Sequence, residues 1–390
     1  MMTQRSVLNE RPRRKEMQSP LRHIDWSLPV LAIGIAVFGG FMNYSSTWRL
    51  LEFNGDDPYF FARRQAVFIS IGILAMIVAA SVDYRVVRDF APQLYLAILV
   101  ALVVVLFVGK EVNGAKAWFQ LPGFQLQPAE FGKLIVVVTL ASFAANQGGR
   151  LGLNGLFNGI AIVAIPMVLI FRQPDIGTML IYVAIMMGML LIAGAKIRHI
   201  TVLSILGAIM IVTVFNAEAL FGTPLLGENQ SDRLVAFLDQ DANLSTTGYN
   251  LDQSQIALGA GGLTGRGWLQ GTQTNLQLVP EQQTDFIFTA AGEEFGFLFG
   301  SLPLMGAYLL LMWRILRAGQ LSRDLFGTLV CAGVLSMLMY QIFQNLGMTM
   351  GIMPITGIPL PFMSHGGSSI ITAFVAIGLV INVRSRRFSS

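Results

Sequence analysis

The chain has 390 residues, of which 54% are apolar and 12% charged, with a net charge of +4 and a mean hydropathy of +0.62. A soluble domain carries about 25% charged residues, so this composition excludes a soluble multidomain enzyme and describes a polytopic membrane protein. At about 20 apolar residues per crossing it predicts an all-α fold of about ten transmembrane helices. The basic residues are spread among the loops between apolar runs and form no single patch, which argues for a topological role and against a nucleic-acid partner.

Residues 1–26 hold Arg5, Arg11, Arg13, Arg14, Lys15 and Arg22 before any apolar run, with no small-residue cleavage site after it. They read as a cytoplasmic basic tail and not as a removed signal peptide. Residues 27–390 read as a single transmembrane domain. Its continuous apolar runs place spans at 28–46, 65–82, 91–109, 129–147, 156–171, 175–194, 200–217, 285–313, 325–345 and 366–383. With the tail inside, it and the inward segments take 17 of the 26 basic residues. The positive-inside rule then puts both termini in the cytoplasm of a cell-membrane protein. The conspicuous polar and Pro/Gly segments fall on the outer side: 110–128, a large extracytoplasmic loop at 218–284 between helices 7 and 8, and 346–365.

Lys116 and Trp118 belong to the first of these segments and are candidates for substrate binding. In the fourth span Glu130 and Lys133 are three residues apart and share a helix face. Each alone is costly in hydrocarbon, so they form either a structural ion pair or a polar wall holding a charged substrate. Asp175, in Gln173-Pro174-Asp175-Ile176-Gly177-Thr178, stands in the first turn of the sixth span, where a carboxylate suits the helix dipole. Gly177 admits another backbone, and Arg172 beside it could grip a phosphate.

The long loop contains Asp239-Gln240-Asp241, a weak match to a metal-binding acidic pair. It also contains Gly259-Ala260-Gly261-Gly262-Leu263-Thr264-Gly265-Arg266-Gly267, either a flexible turn or a backbone nest for a diphosphate with Arg266 as counter-charge. Where the loop becomes an apolar helix, Thr284 or Asp285 can cap it. A partly desolvated Asp285 there can instead serve as a general base with a raised pKa. Glu293 and Glu294, deeper in that helix, point in different directions and read as packing groups. His23, His199 and His365 fall on separate segments, and Cys331 stands alone in an apolar run, so no metal cluster, disulfide or Ser/His/Asp arrangement is supported. Before the last span, Pro354, Pro359 and Pro361 with several glycines describe a non-helical segment, reaching Ser364, that is tolerated only when buried in protein or lining a wet cavity. It points to a substrate site.

This last stretch, together with Gln173 to Thr178, Gln127-Pro128-Ala129-Glu130 followed by Lys133, and Pro280-Glu281 followed by Thr284-Asp285-Phe286, closely resembles the SEDS family (FtsW, RodA and SpoVE). The resemblance runs from about residue 26 to 385 and carries four motifs in the right order. The RodA branch is the nearer match, from Gly265-Arg266-Gly267-Trp268 followed by Gly271-Thr272-Gln273. The resemblance implies a peptidoglycan glycosyltransferase that polymerises lipid II, as donor and acceptor, during cell elongation. It implies a class B penicillin-binding protein as crosslinking partner, with other elongation-complex membrane proteins. By motif, Asp285 takes the place of the essential loop aspartate, Glu130 and Lys133 the buried pair, and Asp175 the Gln-Pro-Asp position. Arg233 takes that of a loop arginine, and Gln253 and Ser254 that of a Gln-Ser pair. The chain departs from the family pattern at Gln283, where His is frequent, at His365, where Tyr is, and at Ala129, where Ser is.

The expected chemistry is inverting attack of an acceptor 4-hydroxyl on a polyprenyl-diphosphate donor, with Asp285 as base and Lys116, Arg233 or Arg266 stabilising the diphosphate. No dedicated ligand cluster stands out, so no cofactor is assigned, and help from a divalent cation such as Mg²⁺ stays open. The competing readings are a lipid II flippase, a division-specific FtsW-type polymerase and a scaffold for the crosslinking enzyme.

Overall fold

The structure, a computed structural model, describes residues 25–112, 115–121, 123–215 and 247–388. The basic residues of the tail before Asp25, and Arg233 with Asp239 and Asp241 in the long loop, lie outside the described residues.

The apolar runs become helices α1 (Ser27–Asn54), α2 (Phe60–Ser81), a short α3 (Tyr84–Asp89) and α4 (Ala91–Val108). A three-stranded antiparallel sheet follows, β1 (Lys110–Val112), β2 (Ala115–Leu121) and β3 (Phe124–Leu126), in the order β1-β2-β3. After it come α5 (Pro128–Asn146), α6 (Leu153–Phe171), α7 (Ile176–Ile192), α8 (Ile197–Phe215), α9 (Thr247–Gly261) and α10 (Thr272–Asn275). The chain then runs through α11 (Ile287–Gly296), a π turn (Phe297–Ser301), α12 (Leu302–Gln320), α13 (Leu325–Thr349) and α14 (Gly367–Ser385). Among the described residues eight helical segments are long and apolar enough to cross a membrane, and Ile176–Ile192 and Ile197–Gly207 are shorter apolar helices. The chain is a mainly helical, multi-pass membrane protein. The small sheet was not anticipated: its strands are three to seven residues long, too short to carry a periodic signal.

The centre of the bundle is α13, which packs on α5, α7, α12 and α14, while α14 lies along α2. Leu338, Val137, Ile185 and Phe374 are among the wholly buried side chains there, and Cys331 is a buried free thiol in the same core. Many apolar side chains of α2, α4 and α8 remain exposed on the outside, as lipid-facing helices require. Inside α6, Pro166 has no N–H for the Ile162 carbonyl four residues back. The Tyr95 hydroxyl donates to that carbonyl at 2.8 Å instead, so the backbone stays satisfied without water.

The expected continuous span at 285–313 is interrupted. Its helical run extends over Ile287–Gln320, 34 residues, well beyond the length a crossing needs, and it breaks at Gly296, where φ is 71°. The Gly-rich segment fills the break. Arg266 and Gly267 N–H groups donate to the Glu293 and Glu294 carbonyls, and Phe297 and Leu298 N–H groups donate to the Gly262 and Leu263 carbonyls. A Cβ on Gly265 would stand 2.2 Å from the Glu294 carbonyl oxygen, so only glycine permits this approach. The reading of this segment as a diphosphate nest is therefore corrected, since these N–H groups are committed to the helix. At the opposite end of the bundle Asp25 joins the folded unit, paired with Arg314 at 3.0 Å and Arg384 at 2.7 Å.

Candidate active site

The organising element is the non-helical stretch between α13 and α14. Its prolines remove donors and forbid helix, which leaves a row of carbonyls that the surrounding helices must satisfy. Gln344 donates to the Pro354 carbonyl at 2.8 Å, Asn345 to Ile358 at 2.8 Å and Tyr308 to Pro361 at 2.7 Å. Asn43 reaches the Met363 carbonyl at 3.0 Å, and Gln65 the Ser364 carbonyl at 3.4 Å. The expectation that this stretch is tolerated by burial in protein holds.

Three of the sequence motifs meet on it. Gly177 approaches so closely that a Cβ there would stand 2.6 Å from the Thr356 carbonyl oxygen. The His365 N–H donates to the Gln283 carbonyl at 2.9 Å, and Asn345 donates to the Asp285 carbonyl at 2.7 Å. At the start of α14, the Ser368 hydroxyl accepts from the Gln127 N–H and donates to the Gln125 carbonyl, each at 3.1 Å. Gln127 in turn donates from Nε2 to Asp175 at 3.0 Å. The loop aspartate, the Gln-Pro-Asp turn and the start of α5 are thus linked through residues 351–368.

Asp285 closes a turn in which the Thr284 and Asp285 N–H groups both donate to the Glu281 carbonyl, at 3.1 and 3.0 Å. Its side chain is half-buried, while Phe286 beside it is buried with Leu251, Ala257, Val279, Met348 and Ile355 in a small second core. That cluster anchors the turn from below and leaves Asp285 at its rim. The Thr284 hydroxyl donates to the Glu281 carbonyl at 3.1 Å and does not cap α11.

Glu130 and Lys133 form an ion pair of 2.8 Å with side-chain exposures of 5% and 1%. The Tyr182 hydroxyl of α7 donates to the adjacent Ala129 carbonyl at 3.0 Å, and the pair itself is buried in protein. Asp175 is the N-cap of α7 and not a first-turn residue; its Oδ1 accepts from the Thr178 N–H at 2.9 Å.

Several other candidates are held in the scaffold. Ser364 is 2% exposed and its hydroxyl accepts from the Leu360 N–H at 2.8 Å. Ser254 is buried and donates to the Leu251 and Thr349 carbonyls at 3.0 and 2.9 Å, tying α9 to the end of α13, with Gln253 half-buried beside it. Arg266 is exposed but donates from Nε to the Ala260 carbonyl at 3.0 Å and from Nη1 to Thr272 at 2.6 Å. Lys116 donates to the Phe107 carbonyl at 3.0 Å, and Trp118 is half-buried in β2 opposite Lys110. Glu293 accepts from the Gln273 and Thr274 N–H groups and the Thr274 hydroxyl, capping α10, and Glu294 accepts from Ser45. These two glutamates serve packing, as expected. Among the described residues no group of three or more His, Cys, Asp and Glu is arranged to hold a metal ion.

Asn345, Gln65, Arg64 and His365 were not singled out as site residues from sequence. The signal for the two amides was an uncharged polar residue inside an apolar run, which is costly unless it has a partner. Arg64 sits over the rings of Phe60 and Phe68, 5.7 Å from each, and lines a cleft with Arg63 and Gly123. It is the cation that acts on His365, whose Nδ1 lies 3.1 Å from Gln65 Oε1 and whose ring meets Phe61 and Phe68.

Burial, and secondarily the Arg64 charge, pushes the His365 pKa down to about 4. Between that value and about 6.5 the unfolded chain binds a proton that the folded chain does not, so stability rises with pH through this window. The contribution is complete above pH 6.5 and is lost as pH falls toward 4. Wild-type thermal stability in detergent should therefore drop between pH 6.5 and 4.5, by about 1–3 kcal/mol from this group. His365→Tyr should show a smaller drop, and an unchanged pH dependence in that variant would refute the assignment.

A family profile described as "Cell cycle protein" (FtsW/RodA/SpoVE) matches residues 25–388. Stage V sporulation protein E of Bacillus subtilis (strain 168) is 34% identical, over 92% of this chain and 96% of its own. Peptidoglycan glycosyltransferase MrdB of Escherichia coli (strain K12) is 32% identical, over 94% of each. A solved structure described as "Structural coordination of polymerization and crosslinking by a peptidoglycan synthase complex" superposes with a TM-score of 0.78 at 28% identity, over 94% of this chain and 99% of that one.

Proposed function

The chain belongs to the FtsW/RodA/SpoVE family, and on that premise we propose that it is a peptidoglycan glycosyltransferase that polymerises lipid II into β-1,4 glycan strands. The observation that supports this most directly is the Asp285 turn, clamped at two backbone carbonyls where three family motifs meet. In the reaction, the 4-hydroxyl oxygen of the acceptor sugar attacks C1 of the donor sugar. The C1–oxygen bond to the α-linked diphosphate breaks, and the polyprenyl diphosphate departs with the electron pair. The configuration inverts to β, and the hydroxyl proton passes to the Asp285 carboxylate. One base is sufficient and no covalent enzyme intermediate is needed.

Charge developing on the diphosphate calls for preorganised cations and N–H groups. Lys116, Arg233 and Arg266 are the candidates from sequence, and Arg64 joins them because its guanidinium stands beside His365. The excess of basic residues on the opposite side supports an outward-facing site with both termini cytoplasmic. The solved relative that couples polymerisation and crosslinking supports a class B penicillin-binding protein as partner. The Gly265-Arg266-Gly267-Trp268 motif supports an elongation role. The sporulation relative, at 34% identity, keeps a division or sporulation role as the second reading.

The test is glycan formation from lipid II by the protein purified in detergent, with and without the transpeptidase. Polymer is expected, increased by the partner. No polymer in either case, together with lipid II translocation in proteoliposomes, would replace the enzyme by a flippase. Rescue of cells depleted of their elongation polymerase, but not of their division polymerase, is expected for the elongation role.

A further inference from the structure

Asn345 is wholly buried in α13, and its Nδ2 donates to two carbonyls, that of Asp285 at 2.7 Å and that of Ile358 at 2.8 Å. Of the two ends of the amide only the nitrogen can do this: it carries two protons, and turning the amide would set Oδ1 against two carbonyl oxygens. Oδ1 itself is buried, with no hydrogen-bond partner among the described residues. A buried polar group left partly unsatisfied calls for an explanation, and the bonds made by its other end offer one.

That other end joins two segments that no secondary structure holds together. The Asp285 turn has its N-terminal side fixed by the His365 N–H on the Gln283 carbonyl. This contact is backbone to backbone and survives substitution of either side chain. The C-terminal side is fixed at the Asp285 carbonyl by Asn345, a contact that rests on one side chain. The carbonyl belongs to the residue whose carboxylate is assigned as the base, so tilting this peptide also tilts the Cα–Cβ bond of Asp285. A misplacement of about 1 Å at a reacting group costs about 10²-fold in rate.

We propose that Asn345 is a positioning residue for polymerisation, locking the Asp285 peptide to the Pro-rich segment so that the carboxylate stays at the acceptor hydroxyl. The inference rests on the reading of Asp285 as base.

The experiment uses the full chain in detergent with lipid II. It compares wild type, Asp285→Asn, Asn345→Leu, which keeps the branching at Cγ without donors, Asn345→Ser, which keeps one donor, and the double variant Asp285→Asn/Asn345→Leu. For Asn345→Leu, kcat is expected to fall about 10- to 100-fold while KM for lipid II stays within about threefold. Asn345→Ser should fall in between, and the double variant should be no slower than Asp285→Asn alone. If Asp285→Asn is inactive while both Asn345 variants keep kcat within twofold of wild type, lose activity through KM alone or fail to fold, the positioning role is overturned and the base reading stands. If Asp285→Asn remains as active as wild type, the base reading falls and takes this inference with it.

Discussion

Asp285→Asn is expected to lower glycan formation from lipid II by about 10²–10⁴-fold, the usual contribution of a positioned general base. The change is nearly isosteric and leaves in place two main-chain contacts of the turn: the Asp285 carbonyl accepts from Asn345 and the Gln283 carbonyl from the His365 N–H. The variant should therefore fold, and the loss can be assigned to the carboxylate. Glu281 provides the internal control. It is exposed, and its Oε2 accepts from the Thr284 hydroxyl at 3.3 Å and from Gln283 at 3.4 Å. Glu281→Gln should cost less than about tenfold. Equal polymer from wild type and Asp285→Asn, with none from Glu281→Gln, would transfer the role to Glu281.

The second large effect concerns the ion pair in α5. Lys133→Met strands the Glu130 carboxylate, which is 4% exposed, and should destabilise the protein by about 3–5 kcal/mol. Glu130→Gln should do the same to Lys133. The double variant Glu130→Gln/Lys133→Met removes both charges and should recover most of the stability, because desolvating two ions offsets much of their attraction. Thermal unfolding in detergent reads the stability, and polymer formation at a permissive temperature reads the role. Recovery of both would make the pair structural, in line with its burial. Recovery of stability without polymer would assign the charges to substrate.

Much of this was legible in the residues. Among the described residues the apolar runs of the sequence reading fall on helices, that at 285–313 on α11 and α12 with a π turn between them, because in hydrocarbon a backbone must satisfy itself and the helix does so within one segment. The non-helical stretch before the last helix was readable for the same reason: Pro354, Pro359 and Pro361 cannot sit in a helix interior without loss of hydrogen bonds. The motifs marked Glu130, Lys133, Asp175 and Asp285, and the i,i+3 spacing alone foretold the Glu130–Lys133 pair.

What failed to show was partnership across the chain. The segment from Gly259 to Gly267 read as a flexible turn or an anion nest because glycine signals close backbone approach without naming what approaches. Its neighbour is the broken helix at Gly296, whose freed groups take up the N–H and C=O groups of the segment. Nothing in the local sequence around Ser254, Ser364 and Arg266 pointed to the carbonyl and N–H partners they have in the fold. The sheet at 110–126 depends on pairing between short strands, which no local pattern encodes.

By itself, then, the sequence determined the solvent, the helices and the family, since these depend on composition, local periodicity and motif order. The tertiary structure decided which polar groups are spent on holding the scaffold and which stand at its rim. That distinction rests on hydrogen bonds between residues far apart in the chain, such as Asn345 with Asp285 and Gln127 with Asp175. Such bonds depend on three-dimensional proximity, and no spacing along a single sequence contains it.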